Sequence, residues 1–98
     1  MAQYFNITTA LTQELIAAGN NTRVSSAQLV NIHATDSVNI DLYIEKKLTG
    51  RFYLLKAVEL PVGVTLVQDN IGFNNSPDEF GLYIKLSAAD SAVDIILK

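Results

Sequence analysis

The residues able to do chemistry are few. The single histidine, His33, lies two positions from Asn31 in a stretch that alternates like a strand. A catalytic histidine needs a nucleophile or a carboxylate brought to it by the fold, and no spacing here suggests one. His33 therefore reads as a strand-face residue, with a pH-sensitive interface as the alternative. Asp69, Asn70, Asn74, Asn75, Asp78 and Glu79 make one oxygen-rich interval. With one histidine and no cysteine, calcium is the metal such donors could take. Their spacing does not match an EF-hand, and Asn, Asp, Ser and Pro are ordinary loop formers, so a plain loop is the expectation. There is no glycine-rich phosphate cradle, no G-x-S-x-G elbow and no H-E-x-x-H pair. A paired-carboxylate hydrolase stays open on residue types alone, but a short chain leaves little room for its cleft. The expectation is a protein that is not an enzyme and uses no cofactor.

Aromatic and aliphatic residues are more informative. Tyr43, Tyr53 and Tyr83 fall on the positions expected to face water along three strands. Tyrosine suits protein interfaces because its ring buries well while its hydroxyl stays bonded. The same residues could instead cover the sheet or stack on one another across it. Tyr4 and Phe5 near the start admit both readings. Arg51 to Leu60 is apolar on both sides, with Phe52, Leu54 and Val58 expected inward and Tyr53, Leu55 and Ala57 opposite, so a partner is expected to cover it. Ile71 and Phe73 stand inside the polar loop and should pin it to the body or to a neighbour. The candidate interface residues are thus Tyr4, Phe5, Tyr43, Tyr53, Leu55, Ile71, Phe73 and Tyr83.

The elements that must carry these residues are strands. Ser37 to Lys46 alternates strictly, with Val38, Ile40, Leu42 and Ile44 on one face and Asn39, Asp41, Tyr43 and Glu45 on the other. Arg23 to Ala34 reads as one long strand, joined to it by the short turn Thr35–Ser37 as an antiparallel hairpin. Lys47 to Gly50 is the next turn, Pro61 ends the following strand, and Val64 to Gln68 is a short strand beyond it. Phe80, Leu82, Ile84 and Leu86 should face inward, with Gly81, Tyr83 and Lys85 outward. After a turn at Ala88–Asp90, Val93, Ile95 and Leu97 should share one face of a closing strand. Gln3 to Thr8 suggests a first strand or an arm. Thr9 to Ala18 fits either a helix or a strand, strand being favoured by its all-β company, and Gly19-Asn20-Asn21 is a turn.

Composition bounds the rest. Ninety-eight residues, 49% of them hydrophobic, allow one domain with a packed core and suggest no linker. Without cysteine, folding rests on packing and ladder hydrogen bonds. Ten acidic against seven basic residues give a net charge of −3, which argues against a nucleic-acid partner. Lys46, Lys47 and Arg51 cluster at a predicted hairpin tip and read as a solvated tip rather than a phosphate site. The start lacks a basic segment followed by an apolar run, and no apolar run approaches the about 20 residues that span a bilayer. The reading is a complete, soluble chain made in the cytoplasm with no membrane partner. The N-x-T triplets at Asn6 and Asn20 are taken as chance matches.

Seven or eight short antiparallel strands with turns every 8–12 residues imply an all-β fold: a single β-sandwich over residues 1–98, jelly-roll-like or Greek key, with 1–23 as an N-terminal arm or edge strands. Three runs add to this: A-Q-L-V-N-I-H-A-T-D-S-V-N-I-D-L-Y-I from Ala27, F-Y-L-L-K-A-V-E-L-P-V-G-V-T-L-V from Phe52, and L-Y-I-K-L-S-A-A-D-S-A-V-D-I-I-L from Leu82. Together they resemble the small β-sandwich structural proteins of tailed-bacteriophage virions, over roughly residues 24–98. The resemblance implies a non-enzymatic subunit of the virion: capsid decoration or cement first, neck or tail component next. It would contact other virion proteins and further copies of itself, as a trimer or hexamer. It carries no catalytic residues. The competing expectation is a carbohydrate- or receptor-binding sandwich with Tyr43, Tyr53 and Tyr83 as a stacking platform.

Overall fold

The computed structural model describes residues 3–8, 12–46, 48–75, 80–87 and 91–98. Their secondary structure is all β, in ten strands: β1 Gln3–Ile7, β2 Gln13–Ile16, β3 Arg23–Val24, β4 Ala27–Asn31, β5 Val38–Lys46, β6 Gly50–Leu60, β7 Thr65–Gln68, β8 Phe73–Asn74, β9 Gly81–Leu86 and β10 Val93–Leu97. One four-stranded sheet runs β1-β10-β4-β7, a second runs β2-β9-β5-β6, and β3 pairs with β8. Every pairing is antiparallel. Among the eight main strands the chain returns within a sheet only at the β5–β6 hairpin and otherwise alternates between sheets. That order is a jelly roll.

Alternation explains the layers. Leu29, Val93, Ile95 and Leu97 from the first sheet and Ile40, Leu42, Leu82, Ile84 and Leu86 from the second are all buried in one core cluster, with Ile7, Leu15 and Ile16 closing it. The inward sets expected for β9 and β10 are those found. Gln13–Ile16 is strand, while residues 9–11 lie outside the described part.

Two expectations about pairing need correction. Arg23 to Ala34 is not one strand: it breaks at Ser25 and Ser26, which bond to the Lys98 carbonyl, and resumes as β4. Nor do β4 and β5 form a hairpin. They belong to different sheets, so the segment between them is a crossover. Local chemistry holds that crossover. The His33 amide donates to Asn31 Oδ1, and the Thr35 and Asp36 amides donate to His33 Nδ1 at 3.1 and 3.0 Å. The Asn31 amide group then donates to the Asp36 and Leu60 carbonyls, both at 2.9 Å. His33 is thus a turn cap, not a strand-face residue.

The face assignment of β6 also changes. Ile40 pairs with Val58 but Leu42 with Leu55 and Tyr43 with Tyr53, so β6 carries two extra residues in this interval. Each extra residue is a β-bulge that resets which face follows. Leu55 consequently packs inward beside Leu54, contrary to the outward placement that simple alternation predicts.

Candidate functional site

Tyr43, Tyr53 and Tyr83 do come together. Tyr43 pairs directly with Tyr53 on one side and with Tyr83 on the other, giving a row across β6, β5 and β9. Ring centroids are 5.3 Å apart for Tyr43–Tyr53 and 5.6 Å for Tyr43–Tyr83, the second pair stacked within 16° of parallel. Glu14 on β2 extends the row, its carboxylate accepting from the Tyr83 hydroxyl at 3.3 Å. The Arg51 guanidinium caps the Tyr43 ring at 4.5 Å, donates to the Tyr53 hydroxyl at 3.4 Å and sits 3.7 Å from Glu45.

The result overturns one expectation. Tyr43 lies on the outer face as its register requires, yet it is only 1% exposed, because its neighbours and Arg51 cover it. Of the expected platform, Tyr53 is left exposed and Tyr83 half-buried. Electrostatics separate these two. The hydrogen bond from Arg51, with Lys56 nearby, lowers the Tyr53 pKa from the usual tyrosine value, and the same bond raises that of Arg51. Burial, with the Glu14 carboxylate next, raises that of Tyr83.

Beside the row lies an open polar depression of about 360 Å³, lined by Asn39, Asp41, Lys56, Ala57, Lys85 and Ser87 among others. Asp41 organises it. One carboxylate oxygen accepts from the Ala57 amide at 2.7 Å and the other lies 3.5 Å from Lys56 Nζ. Ala57, at a bulge, has φ of 53°, a left-handed conformation that an alanine adopts only when held there. The Ser87 hydroxyl accepts from the Asn39 amide. The depression thus gathers the charges of Asp41, Lys56 and Lys85 beside the row.

The remaining candidates divide. Phe73 is buried in the core and Ile71 packs on it, so both pin their loop to this chain's own body. Asn75, which no periodicity marked, is the polar anchor there. Its Oδ1 accepts from the Thr22 amide at 2.8 Å, and its Nδ2 donates to the Ala17 and Phe80 carbonyls. That role takes Asn75 out of the oxygen-rich set considered for calcium. Asp78 and Glu79 of the same set lie outside the described residues. Phe5 is half-buried against the core, whereas Tyr4, next to it on β1, is 72% exposed.

Two further apolar residues stand exposed: Leu48, which the sequence leaves unassigned, and Phe52, which alternation places inward and which β6, an edge strand, leaves uncovered. Leu48, at the β5–β6 tip with φ of 68°, is fully exposed. Phe52 is also exposed, its ring 5.9 Å from that of Phe80. Across β1-β10-β4-β7 the outer rows read Tyr4–Ile96–Gln28–Val67 and Asn6–Asp94–Val30–Thr65. Only Asp94 in these rows carries charge, and the Asn6 amide group donates to it at 2.6 Å. One sheet thus shows a nearly neutral face and the other a charged, tyrosine-bearing one.

No family model matches the chain, and no curated protein does. Among solved structures the chain is similar to a de novo designed double-stranded β-helix, determined in solution by NMR. That structure is 11% identical, with all of this chain and 96% of the other covered, at a TM-score of 0.37. A likeness that distant bears on neither the fold assignment nor function.

Proposed function

We propose that this chain is a non-enzymatic structural subunit of a tailed-bacteriophage virion, decorating or cementing the capsid, with a neck or tail position as the next choice. Its work is done by protein–protein contact, on the particle, between copies of itself and with other virion proteins. The observation that carries the reading is the apolar surface. Tyr4, Ile32, Leu48, Phe52, Val62, Val64 and Val67 are all exposed on a small, fully formed jelly roll. Isolated exposed apolar residues are ordinary, but several on and beside one nearly uncharged sheet face suit a surface covered in an assembly. Jelly rolls also recur in viral capsids, although they serve lectins and cupins too, so fold alone would not choose.

The alternative, a carbohydrate- or receptor-binding module on the tyrosine row, finds less support. A sugar stacks on an accessible ring face, and the central ring of this row, Tyr43, is covered by Arg51. Peptide mass spectrometry of gradient-purified virions whose genome encodes the chain tests the proposal. The chain should be present in many stoichiometric copies per particle. Its confinement to the soluble lysate fraction would contradict the reading.

A further inference from the structure

The four edges of the two main sheets are not treated alike. In β2 the register shifts between Glu14 and Ile16, and β6 carries two bulges with Arg51, Lys56 and Glu59 along it. Bulges and charges are the usual means of stopping an edge from pairing with another chain. Strand β1, Gln3–Ile7, has neither: it pairs residue for residue with β10 and contains no charge and no proline.

The direction of its backbone groups follows from the ladder. Ser26 and Lys98 exchange two bonds, amide to carbonyl each way at 3.1 and 3.0 Å. In an antiparallel pair such exchanges recur at every second residue, so Ile96 and Asp94 also bond toward β4. Ile95, Val93 and Leu97 then bond toward β1, to Phe5, Ile7 and Gln3. Tyr4 and Asn6 are left with amide and carbonyl directed away from β10, where no described strand lies.

We propose that β1 is a self-pairing edge, on which two copies join β1 to β1 antiparallel about a two-fold axis through Phe5. Tyr4 and Asn6 of each copy then exchange bonds with Asn6 and Tyr4 of the other, and the two Phe5 side chains meet across the axis. The sheets merge into one running β7-β4-β10-β1-β1-β10-β4-β7. An isologous contact of this kind demands self-complementarity, which this register meets at its centre: Phe5 faces Phe5, flanked by Tyr4 opposite Asn6.

Charge does not oppose a second copy at this edge. Two chains of net charge −3 repel, so their contact must avoid acidic groups. Strand β1 has none, and the groove of about 370 Å³ beside it, lined by Tyr4, Phe5, Asn6, Asp94, Ile95 and Ile96, contributes only Asp94. In the paired sheet the two Asp94 residues sit three strand spacings apart, about 14 Å, beyond the screening length at physiological salt. The opposite edge, β7, is also regular and uncharged, with Thr65 and Val67 facing out by the same reasoning. A head-to-tail join of β1 to β7 is the competing geometry.

The pairing rests on the reading of this chain as an assembling subunit, and the two can fail separately. Multi-angle light scattering of the full chain over a range of concentrations should find a dimer. Tyr4→Pro removes one outward amide without touching the bonds to β10, and should give a monomer with an unchanged circular dichroism spectrum. Val67→Pro should leave the dimer intact. Should Tyr4→Pro fail to fold, hydrogen exchange on the unaltered chain decides. The Tyr4 and Asn6 amides should slow on the order of tenfold or more between dilute and concentrated samples. A monomer at every concentration, exchange at these amides that ignores concentration, or a dimer lost in Val67→Pro would overturn the pairing. A monomer that still loads onto particles would do so while leaving the virion reading intact. A dimer that never enters a particle would do the reverse.

Discussion

The ring of Tyr83 lies over Gly81, so that a Cβ placed on Gly81 would meet Tyr83 Cε1 at 2.9 Å. Both residues occupy the outer face of β9, two positions apart, and Gly81 is buried beneath the ring. The glycine is therefore favoured by packing, not by its backbone angles, because any Cβ would push the ring out of its stack on Tyr43. Gly81→Ala should destabilise the fold by about 1–3 kcal/mol, the range for overpacking a close contact. Urea unfolding measures this. In a Tyr83→Ala background the same substitution should be neutral or slightly stabilising, giving a clear coupling energy in the double-mutant cycle.

Asn75 ties three segments with one side chain, bonding to the backbones of Ala17, Thr22 and Phe80. It is buried, so truncation leaves the Thr22 amide and the Phe80 carbonyl unmatched, while the Ala17 carbonyl keeps the Asn20 amide. Asn75→Ala should cost about 2–4 kcal/mol in urea unfolding. Asn75→Asp should be no better, since it turns a donor toward two carbonyls into an acceptor.

Ala57 is held at positive φ by the Asp41 carboxylate on its amide. Ala57→Gly removes the steric penalty and should raise stability by about 0.5–1 kcal/mol, net of the added freedom of the unfolded chain. Asp41→Ala removes the acceptor and should lower stability, an effect reduced in the Ala57→Gly background. Thermal unfolding of the four chains checks both statements.

Tyr53 and Tyr83 should titrate apart. The Tyr53 value is depressed and the Tyr83 value raised relative to the ordinary tyrosine near about 10. The stability linked to Tyr83 is fully present below that pH and is lost as pH rises through its raised value. That linked to Tyr53 is present above the ordinary value and is lost as pH falls through its depressed one. Absorbance titration at alkaline pH should lose its early phase in Tyr53→Phe and its late phase in Tyr83→Phe. Identical curves for the two variants would contradict the assignment.

The strands that read most clearly in the sequence were those whose side chains alternate without interruption, such as Val38 to Ile44 and Leu82 to Leu86. Each such residue reports its own face. Leu55 misled because a bulge adds a residue to one strand, and no signal local to β6 reveals it. Partner choice was equally hidden. Thr35–Ser37 is short enough for a hairpin, and the crossover depends on Asn31 reaching the carbonyl of Leu60, far along the chain. Asn31 did leave a trace, standing in phase with the inward Ala27 and Leu29. Stacking across the sheet was one of two open readings for Tyr43, and the sequence did not choose it, since the groups that cover the ring come from β6 and β9. Pairing across a sheet, not periodicity along a strand, decides such a residue's exposure.

Sedimentation of the purified chain with virions from which it has been stripped or deleted tests the central claim most directly. The account predicts saturable binding at a fixed number of sites per particle, weakened by replacing exposed apolar residues such as Tyr4 and Val67 with charged ones. No binding at any concentration, with the chain instead retained on a glycan surface through Tyr53, would contradict it.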